Sequence, residues 1–159
     1  MLFRSMFSKL SLRCIAIVLL FVLAANISKA QITIPAGSYV VDMGVNAGAK
    51  PAGLRPYGMI HELVKFYNVP VIWVVKQGKV KDATDYTIEG NAYKGGIFVI
   101  PGNYITGSVL QAINGWRTGA PASANGYTRG LVTARALAAS YTFSGAKTDT
   151  IKSVPTWTL

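Results

Sequence analysis

The chain has 159 residues, one cysteine and a formal net charge of +10. Residues 1–30 hold four basic residues and no acidic ones, so the following 129 residues carry twelve basic against six acidic side chains, a net charge of +6. Those basic residues are dispersed from Lys50 to Lys152, with only Lys76, Lys79 and Lys81 clustered. Nucleic-acid binders gather charge on one face or stripe, so that function class is not expected.

Residues 1–30 read as a secretory signal peptide. Arg4, Lys9 and Arg13 form a basic lead, Cys14 to Ala25 is a twelve-residue apolar run, and Ser28-Lys29-Ala30 is a small-x-small cleavage site. Cleavage is expected between Ala30 and Gln31. The apolar run is shorter than the roughly 20 residues a spanning helix needs, so no membrane span is expected after cleavage. Cys14 leaves with the peptide, which excludes disulfides, thiol nucleophiles and thiolate metal ligands from the remainder. A secreted or cell-surface location follows. The remaining length suits one domain.

In chain order, Ile32–Pro35 reads as a lead-in strand and Ser38–Met43 (SYVVDM) as the first core strand. A loop rich in Gly, Ala and Pro follows. Pro56–Tyr67 reads as a helix, because Ile60, Leu63, Val64 and Tyr67 recur at i, i+3, i+4 and i+7. Asn68 can end it and Pro70 cannot continue it. Val71–Val75 is apolar without alternation, the pattern of a strand buried on both faces in a parallel sheet. Asp85–Lys94 reads as an exposed hairpin turning at Gly90-Asn91, with Gly at the first central position of a type II′ turn. Ile97–Ile100 is the third core strand, closed by Pro101-Gly102. Ser108–Trp116 reads as a second helix, capped by Ser108, and Leu131–Ser140 (LVTARALAAS) suits a helix by propensity or a strand by its flanks, with the helix preferred.

These elements predict an α/β domain: an open, mostly parallel sheet with a small hairpin excursion. The strand-like end "VPTWTL" makes residues 31–159 read as the amino-terminal part of a larger domain. An unpaired edge on such a strand predicts self-association.

Few residues invite chemistry. "GVNAGAK" (Gly44–Lys50) fails the phosphate-loop spacing, which needs four residues between its glycines and then Lys-Ser/Thr. His61 is the only histidine. It has no G-x-S-x-G elbow to serve, and alone it cannot build a zinc site, so it reads as a helix-surface residue. Asp42 closes the first core strand, and Gly44 follows it. Open α/β sheets bind ligands at carboxyl strand ends, so Asp42 and Gly44, with Gly102 and Asn103 after the third strand, form the candidate ligand site. The turn at Gly102–Tyr104 has an elbow's position but no nucleophile. Asp82, Asp85 and Glu89 lack a calcium-loop pattern and read as solvated charge. Tyr86, Tyr93 and Tyr104 could form an aromatic patch for glycans or partners. No catalytic residue, metal ligand or cofactor is assigned.

"KPAGLRPYGMIHELVKFYNVPVIWVV" and "KVKDATDYTIEGNAYKGGIFVIP" carry a resemblance. The features are Pro56-Tyr57-Gly58, Asn68-Val69-Pro70, the turn Lys81-Asp82-Xaa-Xaa-Asp85-Tyr86, and Tyr93 to Gly96. The chain resembles the amino-terminal region of large secreted Bacteroidota proteins associated with gliding and type IX secretion, over roughly Ile34 to Leu159. The resemblance implies a flavodoxin-like or class I amidotransferase-like layer that continues beyond "TWTL". It brings no established activity. The resulting expectation is an exported, non-catalytic module with a structural or adhesion role, whose partners are other segments of a larger surface protein or a second copy. The alternatives are a fragment of an amidotransferase-like hydrolase and a glycan-binding module.

Overall fold

The computed structural model describes residues 31–43, 54–119 and 124–155. The signal-peptide reading, and Gly44 with its loop, lie outside the described residues. In chain order the elements are β1 (Gln31–Ile34), β2 (Tyr39–Asp42), α1 (Arg55–Tyr67), β3 (Val71–Lys76), β4 (Tyr86–Ile88), β5 (Asn91–Tyr93), β6 (Ile97–Ile100), a 3-10 turn (Gly102–Tyr104), α2 (Gly107–Thr118), β7 (Ala134–Ala136), β8 (Tyr141–Ser144) and β9 (Ala146–Ile151).

The local chemistry explains the helix ends. Pro56 sits in the first turn of α1, where its missing N–H costs nothing. Asn68 takes the left-handed conformation (φ 53°) after the last turn, and the Val69 amide donates to the Leu63 carbonyl (3.2 Å). In α2 the cap is Thr106 rather than Ser108: its Oγ1 accepts from the Val109 amide (3.3 Å).

The expectation of an open, mostly parallel sheet is overturned. The central sheet has the order β7-β2-β6-β3-β9, and every neighbouring pair in it is antiparallel. β2 and β3 do run parallel to each other around α1, but β6 lies between them. β6 and β7 likewise flank β2 around α2. Two interlocked split β-α-β units of this kind make a ferredoxin-like arrangement, with β9 added at one edge. A flavodoxin-like or amidotransferase-like layer requires adjacent parallel strands and is not this fold.

The misleading signal was the absence of alternation. Ile97, Phe98, Val99 and Ile100 are all buried because both faces of the sheet are covered. Phe98 and Ile100 meet α1 and α2, packing with Val41, Met59, Leu63, Ile113 and Trp116. Ile97 and Val99 meet the opposite layer with Val40, Val74, Ile88, Tyr93 and Phe143. That layer consists of two β-ribbons, β1-β8 and β4-β5, in place of helices. Double coverage gives the same sequence pattern whichever way the strands run.

Leu131–Ser140 is not a helix. Ala134–Ala136 forms the edge strand β7 against β2. The Asp42 amide donates to the Thr133 carbonyl (2.9 Å) and the Leu137 amide to the Ser38 carbonyl (2.8 Å). Pairing with a strand edge overrides the helix preference of the Ala/Leu-rich segment. The other edge, β9, is AKTDTI, with Lys147 and Asp149 exposed. Charges of this kind blunt an edge against further pairing; the apolar end "VPTWTL", on which the unpaired edge was expected, runs into residues 156–159, outside the described residues.

The hairpin at 85–94 forms, with two corrections. Ile88 pairs Asn91, so the central residues are Glu89 and Gly90, and both have positive φ (48° and 77°). That is a type I′ turn. The hairpin is also a cover layer: Tyr86, Ile88 and Tyr93 are buried, with Tyr93 at 2 % exposure.

Candidate functional site

Asp42, Gly102 and Asn103 do not meet. Asp42 pairs Ile97, at one end of β6, whereas Gly102 and Asn103 follow Ile100, which pairs Tyr39 at the other end of β2. At strand rise the ends lie about 10 Å apart or more. Carboxyl ends of neighbouring strands alternate between the two ends of an antiparallel sheet, so the strand-end argument does not gather them. Asp42 is buried close to Tyr93. Burial pushes the Tyr93 phenol up in pKa, a hydrogen bond and charge from Arg135 oppose this, and Asp42 and Glu89 add to it. The Gly102 amide donates to Ser38 Oγ (2.9 Å). A Cβ at Gly102 would come within 3.2 Å of the Gly37 backbone, so this turn is closely packed.

The acids around the hairpin are not solvated charge throughout. Asp85 is fully buried. It accepts from the Lys76 and Gly96 amides (3.2 Å each) and forms an ion pair with Lys79. Burial pushes its carboxyl up, but the Lys79 and amide hydrogen bonds and the Lys79 charge hold it below the ordinary carboxylate range. Glu89 accepts from the Ala138 and Ala139 amides (2.7 and 3.3 Å). Among the described residues no group of three or more His, Cys, Asp or Glu side chains could hold a metal ion. Tyr86 and Tyr93 are core residues, and of that trio only Tyr104 is substantially exposed.

The more suggestive place lies where α1 passes the β3–β9 edge. A cleft of about 330 Å³ is lined by Tyr57, Ile60 and His61 from α1, Trp73 and Phe98 from the sheet, and Ile151 with Val154 beyond the edge. Phe98, 2 % exposed, forms the floor. Tyr57 stands edge-on to it (centroids 5.6 Å, planes 82° apart) and Trp73 lies beside it (6.5 Å, 44°). Tyr57 and Trp73 are 51 % and 40 % exposed, large aromatic surface left open to solvent. Gly96, with φ +86°, lets the indole lie close: a Cβ there would come within 2.7 Å of Trp73 Nε1.

Beside the cleft, α1 carries a buried polar network. Glu62 is fully buried and accepts from Trp116 Nε1 (2.7 Å), Arg129 Nε and Nη2 (3.2 and 2.8 Å) and Asn125 (3.3 Å). Burial raises its carboxyl, but the Arg129 and Trp116 hydrogen bonds, the Arg129 charge and Asn125 bring it below the ordinary range. His61 is half-buried rather than a plain surface residue, and its Nδ1 engages the Tyr127 hydroxyl. Glu62 and Tyr127 thus tie residues 125–129 to α1, which holds one wall of the cleft. Sequence reasoning missed this network. Its one legible sign is Glu62 standing next to Leu63 and three residues after Met59, on the apolar side of the helix.

No protein-family model, curated protein or solved structure matches the chain. Among the described residues no helix is long and apolar enough to cross a membrane.

Proposed function

We propose that this chain is an exported, non-catalytic binding module of a secreted or cell-surface protein, and that it takes its ligand in the cleft between α1 and the β3–β9 edge. The observation that carries this reading is the pair Tyr57 and Trp73, half-exposed over the buried Phe98 in a concave apolar site. Small-ligand sites are mostly apolar hollows of about 300–1,000 Å³ with a few polar groups at the rim. The lining offers binding surface and few groups able to move a proton: the Tyr57 hydroxyl and His61, whose Nδ1 is engaged by Tyr127. Export is supported by the basic–apolar–small-residue order of residues 1–30 and by the resemblance to secreted Bacteroidota proteins. In such a protein the module would act beside other segments of the assembly.

Ligand-observed NMR of the full chain against a panel of ring-containing fragments, methyl glycosides and small organic ions tests the cleft. Binders should appear and lose their signal with Trp73→Ala. A panel that binds Trp73→Ala equally well would remove the cleft from the function. For export, the processed protein recovered from the envelope or medium of an expressing bacterium should begin at Gln31 by mass spectrometry. A chain retained in the cytoplasm with Met1 intact would overturn that part.

A further inference from the structure

The register across the sheet adds a charge to the cleft. Phe98 pairs Trp73, and Trp73 pairs Asp149, so the three lie in one row across β6, β3 and β9. Residues directly opposite in antiparallel strands project from the same face. Ile151, two residues on from Asp149 and therefore on the same face of β9, lines the cleft. Asp149 thus stands at the rim, exposed, beside the indole. Its Oδ1 accepts from the Thr150 amide (2.8 Å), and among the described residues no ion pair within 4 Å involves it.

Three aromatic rings, Tyr57 nearly perpendicular to Phe98 and Trp73 tilted by 44° from it, with a carboxylate at the edge, are the elements that recognise an alkylated ammonium ion. The ring faces attract the diffuse positive charge, the walls accept its methyl groups, and the carboxylate supplies the counter-charge. Neutral sugars need several directed hydrogen bonds, and this lining supplies few. A neighbour opposes a cation: Lys147, which faces Val75 on the same side of β9. Its position bears on affinity. Resting on the cleft reading above, we infer that the site takes a small quaternary or methylated ammonium group, held by Tyr57, Trp73 and Phe98 with Asp149 as counter-ion.

The test compares choline with 3,3-dimethylbutan-1-ol, which has the same shape and no charge. Each is titrated into the full chain while tryptophan emission is followed, with Trp73→Phe identifying the reporting indole. Choline should bind about tenfold or more tightly than the neutral analogue, the scale expected of a cation–π contact with a counter-ion. Asp149→Asn should weaken choline several-fold and leave the analogue unchanged. Lys147→Ala should tighten choline. Equal binding of the two compounds, or indifference to Asp149→Asn, would overturn the cation inference and leave an apolar binding cleft standing. Failure of both to bind a folded chain would overturn the inference. The fragment panel separately decides the cleft itself. Co-sedimentation with phosphatidylcholine vesicles, and none with phosphatidylglycerol vesicles, would assign the ammonium to a lipid headgroup. Choline binding without co-sedimentation would assign it to a free ligand.

Discussion

The two faces of the central sheet each bury one carboxylate completely, and they hold it in opposite ways. On the helix face, Glu62 is satisfied by side chains alone, from Trp116, Arg129 and Asn125, which lie 54 to 67 positions further along the chain. On the ribbon face, Asp85 is satisfied by two backbone amides and Lys79, within 11 positions. The first is a tertiary anchor that exists only once α1, α2 and the 125–129 segment are in place. The second is a local clamp, built by the turn it stabilises. A buried charge does not reveal by itself whether it organises a loop or a whole layer; the sequence distance to its partners does.

Deleting the tertiary anchor should have the largest effect. Glu62→Ala leaves the Arg129 guanidinium without its partner and should cost about 3–5 kcal/mol in urea unfolding. Hydrogen exchange should then accelerate in α1, α2 and β7 together. Asp85→Ala leaves the Lys76 and Gly96 amides without their acceptor and should cost about 2–3 kcal/mol. Faster exchange should stay within β4, β5 and the turn before them. Equal spreading from both variants would break the distinction. Gly96→Ala touches the clamp and the cleft at once, because Gly96 donates to Asp85 and lies against Trp73. It should cost about 1–2 kcal/mol and shift Trp73 emission. Lys79→Ala should cost only about 1 kcal/mol: its side chain is 20 % exposed, and the amides still hold Asp85.

Acid is the mildest probe at first and should act on both carboxylates. Each has a folded-state pKa below its unfolded value. Their contribution is therefore complete above the ordinary carboxylate range and lost as pH falls through the folded values. The melting temperature should hold down to about pH 5 and fall below about pH 4. Glu62→Gln and Asp85→Asn should each flatten part of that fall, and an unchanged slope in both would assign it to other groups.

The elements themselves were largely legible, and their assembly was not. Ile60, Leu63 and Val64 marked α1, and Ile97–Ile100 marked β6, because periodicity and length are local signals. Strand direction is not local. The all-apolar run of β6 is covered on both faces, whereas that of β3 leaves Trp73 exposed, and neither run reports strand direction, so β3 and β6 suited a parallel sheet as well as the antiparallel one observed. The preference for helix over strand at Leu131–Ser140 failed for a related reason: its alanines and leucines favour a helix until the free edge of β2 is counted. The candidate site inherited the error in direction, since Asp42 and Gly102 share an end only if β2 and β6 run the same way. Trp73 was legible as a strand residue. Its exposure, and its row with Phe98 and Asp149, needed the register.

The ribbon β1-β8 joins residues far apart in the chain: Gln31 pairs Ser144 and Ile34 pairs Tyr141. A chain that emerges amino-terminus first presents β1 long before its partner exists. Until residue 144 has followed, Ile34 has no Phe143 to pack against, and closing a loop of that length carries a large entropic cost. The central sheet is likewise unfinished until β7 and β9 arrive at its two edges. The ribbon and the central sheet therefore close late in synthesis, once β7, β8 and β9 have all been made.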